Sequence, residues 1–320
     1  MRAALVSRLL QAAVVVVLVV VAAFALIRLA PGDPFYSSLE EANVAPEQVA
    51  RIKAHWGYDR PIPEQFARFA RNLAQGDLGY SHSRIQSVQE ALAATIPNTL
   101  VLVVTALGVA FAAGIALGAW QGWRAESRAA RSTDTLGTVA VSVPEFVLAV
   151  LLMIGPALAW RWFPVSGMRT EFGPAGLAGL ADLLWHLALP ATALALPVLF
   201  IVARLQRNAM LGVRDAEFVR AARARGAGEG RAARRALRNA LVPVLAYAGV
   251  HLSALVGGVV IVEKVFDWPG MGRLMVAAVH ARDYQLVVGG VLAGAVCTVV
   301  GTMLADLLLL WADPRQRGRA

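Results

Sequence analysis

Six apolar stretches of bilayer length dominate this chain and leave little room for a water-soluble fold. A membrane-crossing helix needs about 20 mostly apolar residues. Six runs have that length: roughly Leu9–Ala30, Thr99–Trp120, Leu136–Trp160, Leu183–Ala203, Ala240–Val262 and Leu286–Trp311. They predict an all-α polytopic membrane protein. Of the 320 residues, 58% are hydrophobic and 16% charged, against roughly a quarter charged in a soluble domain. That balance excludes a disordered chain and a nucleic-acid-binding tail, and the single cysteine, Cys297, excludes a disulfide scaffold. Ala23-Phe24-Ala25 resembles a signal-peptidase site. The apolar run from Leu9 to Ile27 is nevertheless longer than the roughly 7–15 residues of a signal core, so a retained helix is expected.

Six spans put both termini on one side, and arginine decides which. With the N-terminus inside, 18 of the 30 Lys/Arg fall in inner segments, ten of them between Arg204 and Arg238. Six of the outer ones sit in one long segment, which counts little toward orientation. An N-in/C-in topology follows, and the net charge of +9 fits inner loops facing an anionic membrane surface.

The first outer segment, about Pro31 to Ala94, is too long for a turn. Pro63 suits a first helical turn, and Phe66, Phe69, Ala70 and Leu73 recur at helical spacing, with Gly76 placed to end the helix. This predicts an amphipathic helix lying on the outer face or packed against the spans, serving as a cap or as a contact for an external partner.

Prolines interrupt the third, fourth and fifth runs at Pro144, Pro156, Pro190, Pro197 and Pro243. Each removes a backbone hydrogen bond and predicts a kink. Kinked spans suit either bundle packing or moving walls around a path. An acid inside a span is costly and faces the interior, so Pro144, Glu145 and Phe146 are candidates for lining a translocation path. Gly114-x-x-x-Gly118 and Gly290-x-x-x-Gly294 predict close helix contacts. His186 is expected to be a satisfied interior histidine.

No phosphate-binding G-x-x-x-x-G-K-[ST], H-E-x-x-H, C-x-x-C or G-x-S-x-G occurs, and the five histidines show no ligand spacing. The chain is therefore not expected to be an enzyme or to bind a cofactor or metal. Any energy comes from an ion gradient or from another chain.

The inner segment 204–239 carries the strongest pattern. Asp215 can cap a helix and Glu217 falls in its first turn. Phe218, Ala221, Ala222 and Arg225 share one side, and Gly226, Gly228 and Gly230 end that helix. A second, arginine-rich helix runs from about Arg231 to Asn239 before Pro243 opens the fifth span. A face of small alanines edged by arginines suits docking on another protein; an anchor at lipid head groups is the plainer reading. Sparse aromatics and tethering at the membrane argue against nucleic acid.

Asp215-Ala216-Glu217-Phe218-Val219-Arg220-Ala221-Ala222-Arg223-Ala224-Arg225-Gly226, with Arg238 to Pro243 following, resembles the cytoplasmic loop of type I ABC-importer permeases in its dipeptide/oligopeptide permease B version. Arg220 stands where the wider superfamily has glutamate. Further similar motifs lie in order along the chain: Pro31-Gly32-Asp33-Pro34, Asp59-Arg60-Pro61, Gly76-Asp77-Leu78-Gly79-Tyr80-Ser81, Val143-Pro144-Glu145-Phe146 and Phe163-Pro164-Val165-Ser166-Gly167. After them come Leu189-Pro190, Phe266-x-x-Pro269-Gly270-Met271-Gly272, Arg282-Asp283-Tyr284 and Asp313-Pro314-Arg315.

The resemblance implies one permease subunit of a bacterial inner-membrane importer. Its expected partners are a second homologous permease, two ABC ATPase subunits that use ATP and Mg, a periplasmic or lipid-anchored solute-binding protein, and membrane lipid. Di- or oligopeptides are the implied cargo; nickel, glutathione or another small solute on the same architecture is the alternative, and a stand-alone ion-coupled transporter is the remote one. The resemblance places coupling to the ATPase on Asp215, Glu217, Phe218, Arg220, Ala221, Ala222, Arg223 and Gly226, within a coupling helix of about Asp215–Gly228. Tryptophan at 222 or proline at 226 is expected to uncouple transport without unfolding the chain. Phe266, Pro269, Gly270 and Gly272 are the implied binding-protein contacts, with the Pro31–Ala94 segment. The implied division is 1–94 (first helix and outer segment), 95–312 (transmembrane core) and 313–320 (inner tail).

Overall fold

Proline and glycine set where the helices of this chain begin, bend and end. The computed structural model describes residues 2–29, 60–81 and 83–312; for 2–9, 12, 26–29, 249–258 and 304–312 it describes the backbone alone. Pro31-Gly32-Asp33-Pro34, Asp59 and the 313–320 tail lie outside the described residues. The helices in order are α1 (Arg2–Leu29), α2 (Ile62–Ala74), α3 (Val88–Trp123), α4 (Arg128–Ser142), α5 (Glu145–Leu152) and α6 (Gly176–Val213). There follow α7 (Glu217–Ala224), α8 (Glu229–Ala240), α9 (Val242–Val265), α10 (Met271–His280) and α11 (Tyr284–Ala312). A two-strand hairpin, β1 (Tyr80–Ser81) and β2 (Gln86–Ser87), precedes α3, with Tyr80 opposite Ser87. Among the described residues three helices are long and apolar enough to cross a membrane: α3, α6 and Tyr284–Met303 of α11. The pair α4 and α5 counts as a fourth if taken as one span. Leu10, Val17 and Leu18 on α1 are each 60–62% exposed, an apolar surface suited to lipid or to another apolar helix.

The chain divides into two compact units. Unit one comprises Met1–Pro97 and Arg273–Val299. Here α2 behaves as its pattern predicts. Pro63 sits in the first turn, and Gly76 at φ +81° ends the helix by donating to Leu73 while Asp77 donates to Asn72. Its Phe66, Phe69 and Leu73 pack on Val20 and Ala23 of α1 and on Val288 and Leu292 of α11, so the helix lies against these two helices of its own unit. Phe24 meets the edge of Phe66 at 5.3 Å between ring centres.

Two motifs 202 residues apart meet in this unit. The Asp283 carboxylate accepts hydrogen bonds from Ser81 Oγ (2.6 Å), Ser83 N (3.0 Å) and Ser83 Oγ (2.8 Å), and from Leu286 N (3.1 Å) at the start of α11. Tyr80 N donates to Gln285 Oε1 at 2.8 Å. Gly79, at φ +88°, leaves room for that amide: an added Cβ would stand 2.6 Å from Gln285 Oε1. Burial pushes the Asp283 carboxyl up, but the bonds from Ser81, Ser83 and Leu286 outweigh it and hold the pKa below its ordinary 3.8. A depressed carboxylate stabilises the fold fully above its unfolded pKa, and that contribution disappears as pH falls through the folded value. Thermal unfolding in detergent should therefore show wild type and Asp283→Asn differing most at neutral pH and converging below pH about 4. A gap that does not depend on pH would contradict this.

Unit two comprises Asn98–Gly272 and Val300–Ala320. The run Leu136–Trp160, expected as one span, is two helices bent by 100°. Pro144 forces the break: it cannot donate into the helix, and it holds the preceding Val143 in extended backbone at ψ 124°. After α5 the chain widens into a π-helical turn, Met153–Ala159, around Pro156. Pro190 and Pro197 interrupt the hydrogen bonding of α6 without ending it. His186 Nδ1–H donates to the Asp182 carbonyl at 2.9 Å, as expected of a satisfied interior histidine.

Small residues join α3 to α6. An added Cβ on Gly114 would stand 2.7 Å from the Leu199 carbonyl, one on Gly118 would collide with the Ala203 carbonyl, and one on Gly122 would stand 2.6 Å from Met210 Cβ. The expected Gly114–Gly118 contact is thus one step longer. Membrane helices gain little from the hydrophobic effect against lipid, so this backbone approach supplies the packing.

Candidate coupling surface and translocation path

The short helix α7 is fixed to its own chain through one face. Val219 and Ala222 are fully buried. Val219 packs with Met210 of α6 and with Ala232, Ala236 and Ala240 of α8, an alanine stripe of period four. The helix ends as its glycine predicts: Gly226 adopts φ +79°, its N–H bonds to Arg223, and Ala227 N–H bonds to Ala222. Gly228 and Gly230 do not end it; Gly228 caps the start of α8 and Gly230 lies inside α8. The observed helix is shorter than Asp215–Gly228, and Asp215 does not cap it. Ala216 holds the cap position with no side-chain bond, while Asp215 accepts from Arg214 Nε at 3.1 Å. A neighbouring guanidinium outcompetes the backbone N–H for that carboxylate.

The opposite face is open. Glu217, Arg220, Ala221, Arg225 and Gly226 are exposed, and Phe218 is 40% exposed. Ala222, expected on the docking face, is turned inward, so the face consists of Phe218 and Ala221 flanked by Glu217, Arg220 and Arg225. Beside it lies a cleft of about 380 Å³ between the α3–α4 turn and this loop. Two arginines span the cleft. Arg214 reaches Glu126 Oε1 at 3.4 Å. Arg223 pairs with Glu229 at 3.0 Å and lies over the Trp123 ring, 5.0 Å from its centre. The sequence reading missed Trp123, Glu126 and Val219. The first two belong to a different loop, and Val219 is one residue off the side that it favoured.

At the α4–α5 break, Pro144 is exposed and Phe146 is 49% exposed. Glu145 is half-buried, and its Oε1 is enclosed with no hydrogen-bond partner among the described residues. Behind the break, Ala149 and Ala157 pack on Leu189 and Ala193 of α6 and on Val262 and Phe266.

The turn after α9 lies inside its unit. Phe266 is 2% exposed, Trp268 is fully buried, and Gly270 and Gly272 are buried; Pro269 is half-buried. The turn wraps around Glu263, a fully buried carboxyl that accepts from Thr99 Oγ1 at 2.6 Å. Thr99 Oγ1 in turn accepts from Met271 N at 2.8 Å. Asn98 Nδ2 donates to the Pro269 carbonyl and Trp268 Nε1 to the Asn98 carbonyl, both at 2.9 Å. Gly270 and Gly272 face the Glu263 carboxyl so closely that neither has room for a side chain. These residues therefore hold the turn together; Asp267 on the turn and Lys264 in the last turn of α9 are exposed.

The described residues thus combine apolar helices of membrane-crossing length, a proline break between α4 and α5, and a short helix, α7, buried on one face and exposed on the other. Residues 113–318 match the family of binding-protein-dependent transport system inner membrane components, and residues 1–103 match its N-terminal part; the chain belongs to that family. It is a multi-pass inner-membrane component of such a system. It is 35% identical to a putative peptide permease protein of Brucella ovis over 91% of this chain and 92% of that one. It is 33% identical to a probable peptide ABC transporter permease protein of Sinorhizobium fredii over 97% of both. It is 30% identical to the oligopeptide transport system permease protein AppB of Bacillus subtilis over 98% and 99%.

Proposed function

We propose that this chain is one of two homologous permease subunits in an ATP-driven importer of di- or oligopeptides. Six spans with both termini inside put the α7–α8 segment in the cytoplasm. Two partner ATPase subunits bind ATP and Mg there, and a periplasmic or lipid-anchored binding protein delivers cargo to the opposite side. The reading is supported above all by near-full-length similarity to permeases named for peptides in three genera. The open face of α7 suits gripping by a partner, and its buried Val219–Ala222 side suits transmission of force into α6 and α8. ATP binding would close the ATPases and move α7 with the helices it packs on. The break at Pro144 would let one wall of the path swing, with Glu145 and Phe146 on that wall. Lys264 at the end of α9 and Asp267 on the turn held by Phe266, Pro269, Gly270 and Gly272 are exposed for the binding protein.

Tagging the chain in its native host and identifying co-purified proteins by mass spectrometry tests the assembly. A second permease with one or two ATPases is expected, and a lone oligomer that transports without ATP would overturn the proposal. Peptide uptake by the reconstituted complex tests the cargo. Phe218→Ala should leave folding unchanged and weaken ATPase association at least tenfold, a loss of about 1.4 kcal/mol expected for an exposed aromatic anchor. Unaltered association would move the coupling contact elsewhere. Ala222→Trp is not a clean test, because that site is fully buried and the added ring unseats the helix. Gly226→Pro is unsuitable too, since proline cannot adopt φ +79°.

A further inference from the structure

We propose that the outer face of α8 is a binding surface for the head groups of anionic phospholipids. The helix has two sharply different sides. Ala232, Ala236 and Ala240 are buried against α6 and α7, while Arg231, Arg234, Arg235 and Arg238 are all exposed. None of the four forms an ion pair with a described residue. The one acid of α8, Glu229, is already held by Arg223, and Asp215 and Glu126 are held by Arg214. Four guanidiniums on one helical face therefore have no counter-charge among the described residues.

Position supplies the partner. Leu241 alone separates α8 from α9, and its backbone stays helical at φ −77° and ψ −23°. Arg238, Arg235 and Arg234 precede Val242 by four, seven and eight residues, roughly 6–12 Å at helical rise. That is about one Debye length at physiological salt, so with α9 as the fifth of the six proposed spans these charges feel the head groups at its mouth. A guanidinium fork pairs two of its N–H groups with phosphate oxygens, which suits a phosphodiester. The alanine side gives the helix a fixed rotation, so all four forks stay presented together.

This inference rests on the proposed inner placement of the loop, which can be read separately. In a Cys297→Ala background, Ala224→Cys should react with an impermeant maleimide only after the cells are opened. Lipid binding is then read by native mass spectrometry on the purified full-length protein, titrated with phosphatidylglycerol and with phosphatidylcholine. Wild type should retain phosphatidylglycerol at least tenfold over phosphatidylcholine. The variant R231Q/R234Q/R235Q/R238Q should lose most of that preference, and R231K/R234K/R235K/R238K should keep the larger part. The variants share the helix's exposed face, and matching circular dichroism and gel-filtration profiles establish that both fold. Equal phosphatidylglycerol retention by wild type and the glutamine variant overturns the proposal. If the glutamine variant keeps its lipid but loses the partner ATPases, the arginines serve a protein and the proposal is equally overturned.

Discussion

Leucine in place of Gly118 will cost this protein at least about 3 kcal/mol, the upper range for overpacking a filled interior. Even a methyl group there meets the Ala203 carbonyl, a backbone atom that cannot move without taking α6 with it. Gly114 and Gly122 hold the same line one turn to either side, so the helices cannot pivot around the obstruction. The internal control is Gly108, on the same helix, where an added Cβ meets nothing within 4 Å. Gly108→Ala should be neutral or gain up to about 1 kcal/mol from helix propensity alone. Thermal unfolding of both variants in one detergent decides the matter. Similar midpoints would show that the glycine line does not hold α3 to α6.

The second large effect lies at Glu263. Glu263→Ala leaves Thr99 and the crowded turn without the acceptor around which they are built, a loss of about 1–3 kcal/mol for an unpaired buried group. Gly270→Ala should be at least as harmful, because its Cβ would occupy the space of the Glu263 carboxyl. The two should not add. Removing the carboxyl makes room for the methyl group, so Glu263→Ala/Gly270→Ala should be more stable than the sum by about 1–3 kcal/mol. Additive losses would mean that the two residues act on different parts of the structure.

These two sites mark what the sequence made legible. The Gly114–Gly118 spacing announces a close helix contact because a four-residue interval returns to the same helical face. Phe66, Phe69 and Leu73 were readable on the same ground, and Pro144 was readable as a break. Its size was not: a proline removes one hydrogen bond, but the 100° bend depends on what packs behind Ala149 and Ala157. Glu263 stayed hidden because it closes an apolar run, where an acid reads as the end of a span. Only the fold brings Thr99, 164 residues earlier, against it. The resemblance assigned Phe266, Pro269, Gly270 and Gly272 to contact with a binding protein, whereas three of the four are buried within their unit. The two glycines serve instead to admit a buried carboxyl. In segment 204–239, helix content and the Gly226 stop were legible. Which side faced inward was not, since alanine is equally at home on either.

The hydrogen bond from Ser81 to Asp283 also has a meaning in time. Ribosomes add about 5–20 residues per second, so the 202 residues between these partners take roughly 10–40 s to appear. Throughout that interval the hairpin of Tyr80 and Ser87 is without the acceptor that Asp283 supplies. The start of α11 thus completes a structure begun at the hairpin, and a chain truncated before Asp283 would lack the carboxylate that Ser81 and Ser83 bond to.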